Sequence, residues 1–267
     1  MSWLRLACQE QLLPGATLQQ KWDAALAAGF DAIELRGKGS GVFAARLSEL
    51  TRARDDGVVM TSVCVDMAHF LGAFDADLRR DAVVQMREQL STIAAVGGAL
   101  AVTPASYGMF SRRLPPFDPP RSSGEDRRVL VDGFGELAEH AAAEGVRICL
   151  EPLNRYEDHM INTLGQAAEI CTAVGSPAMG VCADTYHMNI EETDLAASLL
   201  QTGALLQHVQ VSDSNRLEPG GGHLDWPVVL AALETAGFTA PLTYECRLSG
   251  PAAEILPRST AFLRCAS

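Results

Sequence analysis

Seven short apolar runs along the chain each follow a glycine that ends a stretch with a helical pattern. These glycines are found at positions 29, 57, 97 and 98, 145, 175, 203 and 237. Glycine tolerates the left-handed conformation with which many helices end. Each of these glycines therefore predicts the end of a helix, with a strand after it. Helix starts are indicated by a capping box at Thr17 and Gln20, and by Asp225 ahead of Pro227.

With a first strand at the N-terminus, the pattern predicts eight strands. They lie near residues 3–8, 31–35, 58–65, 99–103, 146–151, 179–184, 205–211 and 241–245. Helices alternate with these strands throughout, and eight βα units in about 250 residues are what a closed parallel barrel requires. We therefore expect an α/β fold, a (β/α)8 TIM barrel that forms a single domain over residues 1–267.

One segment interrupts this alternation. Residues 106–126 contain Pro115, Pro116, Pro119 and Pro120, and the segment is too long for an ordinary connection. We predict a loop or lid there, over one end of the barrel.

Composition narrows the class of protein. The chain is 48% hydrophobic and 20% charged, and no run approaches the ~18 apolar residues that a membrane span needs. The N-terminus lacks the pattern of a signal peptide, so we expect a cytoplasmic protein without a membrane partner. A net charge of -12 and the lack of a Lys and Arg cluster argue against nucleic acid as a partner.

The seven cysteines are odd in number, lack zinc-finger spacing and fall mostly inside apolar runs, as at Cys64, Cys149 and Cys182. This pattern is typical of reduced, buried thiols. We expect neither disulfides nor structural zinc.

The segment from Val146 to Glu157 holds the first candidate for chemistry. Its apolar run must end as a strand at Pro152, which cannot donate to a sheet, so Glu151 lies at the carboxyl end of that strand. Taken alone, Glu151 could equally be a surface glutamate or a salt-bridge partner.

Other strands also end in oxygen-bearing side chains, and in a barrel of this kind the carboxyl ends of the strands form the active site. The set is Glu34, Asp66, Glu151, Asp184, Gln210 and Glu245. Several carboxylates at close quarters repel one another unless a cation lies between them. Oxygen ligands suit Mg²⁺ or Mn²⁺, with Co²⁺ and Zn²⁺ left open, so the pattern predicts one divalent metal ion.

Two further polar residues follow these strand ends. His187 lies three residues past Asp184 in a predicted loop, and Arg216 ends the run Ser-Asp-Ser-Asn-Arg. A residue in such a loop is a better functional candidate than His140, which lies in the middle of a helical pattern.

The motifs in the second half resemble those of a known family. They are Glu-Pro-Leu-Asn-Arg-Tyr-Glu from Glu151, Asp-Thr-Tyr-His-Met-Asn-Ile-Glu-Glu from Asp184, Ser-Asp-Ser-Asn-Arg up to Arg216, and the Tyr-Glu that ends at Glu245. The chain resembles the ketose 3-epimerases, such as D-tagatose and D-psicose 3-epimerases. These belong to the xylose-isomerase-like TIM barrels, which also include hydroxypyruvate isomerase. The first half resembles them only in its βα alternation and in Gly29 to Glu34.

The resemblance implies a role for each matching residue. The implied metal ligands are Glu151, Asp184 and Glu245, with Glu151 and Glu245 also forming the acid–base pair. The residues implied to contact substrate hydroxyls are Glu157, His187 and Arg216.

The chain departs from the ketose 3-epimerases at Gln210, where that family has a histidine and hydroxypyruvate isomerase is similar in having glutamine. The side-chain oxygen of glutamine can still bind a hard cation, so we include Gln210 among the metal ligands. The departure leaves open the preferred metal, the subfamily and therefore the substrate.

The implied activity is a metal-dependent C3 epimerisation of ketoses through an enediolate, with two glutamates transferring protons. Aldose–ketose or hydroxypyruvate-type isomerisation is the alternative, and it results if the proton returns to the adjacent carbon. A free sugar or small keto acid is favoured over a phosphorylated one, and a homo-oligomer is left open.

Two other functions are less well supported. A phosphodiesterase resembling endonuclease IV would need a histidine-rich zinc site and a basic surface, whereas this chain has six histidines and a charge of -12. A sugar-binding barrel without catalysis would be expected to lose one of the two glutamates, and both are present.

Overall fold

The computed structural model describes residues 3–109 and 119–267, in which eight parallel strands form a closed barrel in sequence order. The strands are β1 Leu6–Gln9, β2 Ala32–Lys38, β3 Met60–Asp66, β4 Leu100–Pro104, β5 Arg147–Glu151, β6 Met179–Asp184, β7 Leu206–Val211 and β8 Leu242–Tyr244. Each overlaps one predicted strand. The prediction of a (β/α)8 TIM barrel is therefore confirmed.

Helices connect the strands. They are α1 Leu18–Ala27, α2 Leu47–Asp55, α3 Ala76–Ala95, α4 Ser123–Glu144, α5 Leu164–Val174, α6 Thr185–Glu191, α7 Leu195–Thr202, α8 Trp226–Thr235 and α9 Ala252–Ala266. The predicted capping box of Thr17 and Gln20 begins α1, and the side chain of Asp225 caps α8. Within the described part of the chain, no helix is long and apolar enough to cross a membrane.

Strand β2 runs farther than the sequence pattern indicates. Its backbone stays paired with β3 as far as Lys38 and Asp66, although the side chains of Arg36 and Lys38 are polar. Glu34 consequently lies in the middle of β2, and the prediction that it marks a strand end is wrong. Its side chain is fully buried.

The apolar core lies on both faces of the sheet. Most buried apolar residues form one cluster that includes strand residues and the inner faces of the helices. A separate small cluster of Leu100, Val102, Cys149 and Cys182 comes from neighbouring strands and fills part of the barrel interior. All seven cysteines are free, and Cys8, Cys149, Cys171 and Cys182 are buried, whereas Cys64, which we expected to be buried, is only partly buried.

The barrel closes where β8 pairs with β1, with Leu242 beside Leu6 and Tyr244 beside Cys8. Helix α9 reinforces this closure from outside. The Thr260 hydroxyl donates to the carbonyl oxygen of Ala28 at 2.6 Å, and Arg264 donates to that of Gly29 at 2.8 Å. The last helix thus holds the first βα unit.

The predicted loop at 106–126 is shorter than expected. Residues 123–126 form the first turn of α4, which begins with a capping box made by Ser122 and Glu125, so the predicted loop is wrong at this end. Pro115 and Pro116 lie outside the described residues, as does the rest of 110–118. At the other end, the backbone N–H of Gly108 donates to the carbonyl oxygen of Glu157 at 2.8 Å.

Candidate active site

A cavity of about 460 Å³ opens at the carboxyl ends of the strands. Its lining includes five of the seven side chains predicted for the site: Glu151, Glu157, His187, Arg216 and Glu245. The other two, Asp184 and Gln210, are buried and do not line the cavity.

Glu151 and Asp184 are the last residues of β5 and β6. The Asp184 carboxylate also caps α6, where it accepts the backbone N–H of Tyr186 at 2.8 Å and that of His187 at 3.3 Å. His187 therefore lies in the first turn of α6, and the prediction that it lies in a loop is wrong. One ligand atom each from Glu151, Asp184 and His187 lie within 4.8 Å of one another. This spacing would allow a metal ion to lie between them.

Arg216 links two of the carboxylates. Its Nη1 lies 2.6 Å from Oδ2 of Asp184, and its Nη2 lies 3.0 Å from Oε2 of Glu245. The guanidinium also lies over the ring of Tyr186, 4.9 Å from its centroid. A fixed positive charge therefore offsets part of the negative charge of the site.

Asp213 holds the loop that carries Arg216. The carboxylate of Asp213 accepts hydrogen bonds, 2.8–3.1 Å long, from the backbone N–H groups of Ser214, Gly220 and Leu224 and from the indole of Trp226. The loop comes so close that a Cβ on Gly222 would lie 2.2 Å from this carboxylate. Arg216 itself has a φ of 64°, which is unusual for a residue other than glycine.

Burial and like charge act on both glutamates. Burial raises the pKa of Glu151 well above its usual range, and the charges of Glu245 and Asp184 raise it further. Burial likewise raises the pKa of Glu245, although the nearby Arg216 opposes the shift. A second cation would relieve the repulsion that favours the neutral forms.

The tautomer of His187 follows from its contacts with Asn154. Nδ1 of His187 accepts the backbone N–H of Asn154 at 3.0 Å, so the ring proton is on Nε2. Nε2 lies 3.8 Å from Oε1 of Glu151. Burial, together with the charge of Arg216, lowers the pKa of His187 to about 4. A neutral ring with its proton on Nε2 is suited to donate to a substrate oxygen and not to bind a metal there.

Asn154, which the sequence analysis did not single out, organises the loop after β5. Its backbone N–H fixes His187, and its Nδ2 donates to Oε1 of Glu157 at 3.0 Å. Glu157 therefore presents its carboxylate from a fixed position in the cavity lining. The sequence signal was available, because Asn154 lies in the same motif as Glu151 and Glu157.

Glu34 is the centre of a hydrogen-bond network inside the barrel. Its Oε1 accepts from Nε2 of Gln9 and from Nε2 of Gln210, each at 3.0 Å, and its Oε2 accepts from the Ser62 hydroxyl at 2.6 Å. Nε2 of His208 lies 2.8 Å from the same Oε2. Burial raises the pKa of Glu34, but His208 and the other donors outweigh this and lower it. Sequence analysis missed His208, which precedes Gln210 by two residues and so faces the same side of β7.

Asp66 lies at the end of β3, as predicted, but its carboxylate pairs with Arg36 and not with the residues around Glu151. Its Oδ2 accepts from Nε of Arg36 at 2.8 Å, and its side chain is 41% exposed. Both residues line the cavity. Asp66 is thus part of an ion pair in the lining and not part of the carboxylate group.

The donor set suits a hard divalent cation. The set predicted from the sequence consists of carboxylates from Glu151, Asp184 and Glu245 and the amide of Gln210, which pairs with Asp184 across β6 and β7. The side chain of Gln210 is fully buried, and its Oε1 accepts from the Cys182 thiol at 3.5 Å. A thiol is a weak hydrogen-bond donor. A buried carbonyl oxygen without a strong partner is costly, and a bound cation would satisfy it. Mg²⁺ and Mn²⁺ prefer such oxygen ligands.

Comparison with known proteins identifies the family of this chain. A family model described as xylose isomerase-like TIM barrel matches residues 22–265. The chain is 34% identical over 246 residues to 3-dehydro-D-guloside 4-epimerase of Escherichia coli (strain K12), covering 92% of this chain and 93% of that protein. It is 30% identical over 226 residues to D-psicose 3-epimerase of Agrobacterium fabrum, covering 81% and 75%.

A solved structure gives the same result in three dimensions. The crystal structure of a 3-keto-D-glucoside 4-epimerase from E. coli superimposes with a TM-score of 0.91 at 33% sequence identity. The superposition covers 98% of this chain and 99% of the other. These relatives are named as sugar epimerases, which are isomerases.

Proposed function

We propose that this chain, which belongs to the xylose isomerase-like TIM barrel family, is a divalent-metal-dependent epimerase of keto sugars. The observation that carries the proposal is the pair Glu151 and Glu245, which line one cavity together with Arg216 and His187. Two carboxyl groups at one cavity are what a two-base epimerisation needs.

Glu151 and Glu245 transfer the protons in this proposal. One carboxylate accepts the proton from the carbon next to the ketone, and the electron pair of the broken C–H bond forms the enediolate. The other carboxyl group returns a proton to the opposite face, which inverts that carbon. Glu151, Asp184, Gln210 and Glu245 would hold the metal ion, which supplies positive charge to stabilise the enediolate.

The remaining side chains bind and orient the sugar. His187 donates its Nε2 proton to a substrate oxygen, because its Nδ1 is engaged by Asn154. Glu157 accepts from a sugar hydroxyl, and Arg216 contacts substrate oxygens from its place beside Asp184. Because these groups are fixed by the protein before the substrate binds, little reorganisation is needed.

We favour an unphosphorylated substrate. Among the described residues, two arginines line the cavity, and both are already paired with carboxylates: Arg36 with Asp66, and Arg216 with Asp184 and Glu245. A phosphate group would compete for these cations with side chains that already hold them.

We also favour a keto sugar that carries a substituent. The cavity of about 460 Å³ falls in the range of about 300–1,000 Å³ typical of sites for drug-sized ligands. Part of its lining is apolar, from Met67, Phe70 and Tyr107. The relative that matches 92% of this chain is named as an epimerase of a 3-dehydro-guloside at C4. The alternative is that the same chemistry inverts C3 of a free ketose.

Deuterium exchange tests the proposal. The protein, stripped of metal or reloaded with Mn²⁺, is incubated in D₂O with D-fructose, D-psicose and the methyl 3-dehydro-glucoside and 3-dehydro-guloside. We expect deuterium, located by NMR, at the inverted carbon next to the ketone in the Mn²⁺ sample and not in the stripped one. Deuterium at an aldehyde-forming carbon would indicate an aldose–ketose isomerase, and no exchange with any sugar would contradict the proposal.

We also propose that the protein works in the cytoplasm as one barrel domain, without a nucleic-acid or membrane partner, which the net charge of -12 supports. Cell fractionation and light scattering of the purified protein would measure its location and its oligomeric state.

A further inference from the structure

We infer that Glu34 is a positioning residue for the proposed metal ligand Gln210, because it turns the Gln210 amide so that the oxygen is free to bind the cation. This inference rests on the proposed metal-dependent function. It concerns a carboxylate that belongs to neither the cavity lining nor the donor set.

The contact itself crosses the barrel interior. Glu34 is on β2 and Gln210 is on β7, strands that are not paired with each other, and both side chains are fully buried. Nε2 of Gln210 donates to Oε1 of Glu34 at 3.0 Å. Only side chains that point into the barrel can meet in this way.

The charge of Glu34 decides which end of the amide faces it. An ionised carboxylate accepts hydrogen bonds and cannot donate one, so the amide nitrogen must face Glu34 and the oxygen must face away. If the amide rotated by half a turn, its oxygen would meet the carboxylate and its N–H₂ group would meet the cation. Both contacts would be repulsive.

The network around Glu34 keeps this acceptor in place. Its two oxygens also receive hydrogen bonds from Gln9 and Ser62, and His208 contacts it. Nearby, Oε1 of Gln210 has only the Cys182 thiol as its described hydrogen-bond donor, so a strong acceptor remains available. A carboxylate that accepts from the amide nitrogen also increases the electron density on the amide oxygen, which strengthens its bond to a cation.

A double-mutant cycle on metal affinity tests this inference. The proteins are wild type, Glu34→Gln, Gln210→Ala and the double variant, and the Mn²⁺ dissociation constant of each is measured by calorimetry and by electron paramagnetic resonance. We expect Glu34→Gln to weaken Mn²⁺ binding by ~10- to 100-fold, as for other residues that orient metal ligands. In the Gln210→Ala background, the same change should cost less than about threefold, because there is no amide left to orient.

Ser62→Ala is the matched control. It removes another donor to Glu34 but leaves the contact with Gln210 intact, so we expect a change in Mn²⁺ affinity of less than about threefold. Thermal unfolding of each variant shows whether the barrel has been disturbed.

The remaining outcomes would show whether the inference alone or also the proposed function is wrong. If wild type binds Mn²⁺ and Glu34→Gln binds it equally well, the inference is wrong while the proposed function stands. If Glu34→Gln is equally costly with and without Gln210, Glu34 supports the barrel and does not orient the ligand. Failure of the wild-type protein to bind Mn²⁺ would overturn both the inference and the proposed metal dependence.

Discussion

Arg216 and Asp184 form the shortest ion-paired contact at the site between an arginine and a carboxylate, with 2.6 Å between Nη1 and Oδ2. Since Asp184 is also a proposed metal ligand, the guanidinium and a metal ion draw on the same negative charge. This relationship has a consequence that binding measurements can detect.

Arg216→Gln should tighten Mn²⁺ binding while it impairs turnover. Removing the arginine leaves more negative charge for the metal, and a gain of about tenfold corresponds to ~1.4 kcal/mol. Turnover should fall because a substrate contact is lost. Calorimetry and steady-state kinetics measure the two effects. Arg155→Gln is the control, since Arg155 pairs with Glu191 and does not line the cavity. Weaker Mn²⁺ binding in Arg216→Gln would argue against competition between the two cations.

His187→Gln and His187→Asn should separate substrate binding from metal binding. Glutamine can place an N–H near the position of Nε2, whereas asparagine reaches only the region of Nδ1. We expect His187→Asn to lose about 1 kcal/mol of substrate binding, or roughly fivefold in kcat/KM, and His187→Gln to lose less. Mn²⁺ affinity should stay unchanged in both. A large loss of Mn²⁺ affinity in both variants would instead make His187 a ligand, as its spacing from Glu151 and Asp184 alone would allow.

Glu151→Gln and Glu245→Gln should each lose net inversion of the substrate. Each amide keeps an oxygen for the metal but cannot accept a proton, so turnover should fall by ~10²- to 10⁴-fold, more than metal affinity falls. Each variant can still exchange the proton on the face served by the remaining glutamate, and deuterium washout measured beside product formation detects this. Near wild-type turnover in either variant would rule out the two-base assignment.

Glu10→Gln should reduce stability and make it less sensitive to acid. Burial raises the pKa of Glu10, but hydrogen bonds from Arg46 and the backbone N–H of Arg36 outweigh it, so the pKa is lowered overall. A lowered carboxyl pKa stabilises the fold above the ordinary value, and this stability is lost as the pH falls through the folded-state pKa. We expect a loss of about 2 kcal/mol at pH 7.

Urea unfolding between pH 3 and pH 8 measures this effect. Glu49→Gln is the control, because Glu49 pairs with the same Arg46 at 3.1 Å but its side chain is 49% exposed, and such pairs contribute about 0–1 kcal/mol. Equal losses in the two variants would mean that burial of Glu10 adds nothing to its ion pair.

The barrel could be predicted from the sequence because its strands are apolar runs that begin after helix-ending glycines. Several strand boundaries differ from the predicted ones, most at the end of β2 and the start of β1. Strand β2 continues to Lys38 through backbone pairing that polar side chains do not reveal, and β1 begins at Leu6 and not at residue 3. The sequence shows the pattern of apolar and polar side chains, but it does not show how far the backbone hydrogen bonds of a strand extend beyond that pattern.

The site could be predicted where a charged residue ends a strand or directly follows it. Glu151 and Glu245 fit this description, and the structure brings them to one cavity. Asp213 and His208 were missed because their importance depends on contacts with the Arg216 loop and with Glu34. Such contacts join distant parts of the chain, and no local pattern encodes them.

The pairing of β8 with β1, reinforced by α9, has a consequence for how the protein is made. β1 can pair with β8 only after the residues near 242 have been synthesised. The hydrogen bonds from Thr260 and Arg264 to the carbonyl oxygens of Ala28 and Gly29 can form only later still. Such sequence-distant contacts slow folding, because a long stretch of chain must be ordered before they form. On the ribosome, β1 therefore presents an unpaired edge for most of translation, the period in which a nascent barrel is most exposed to aggregation.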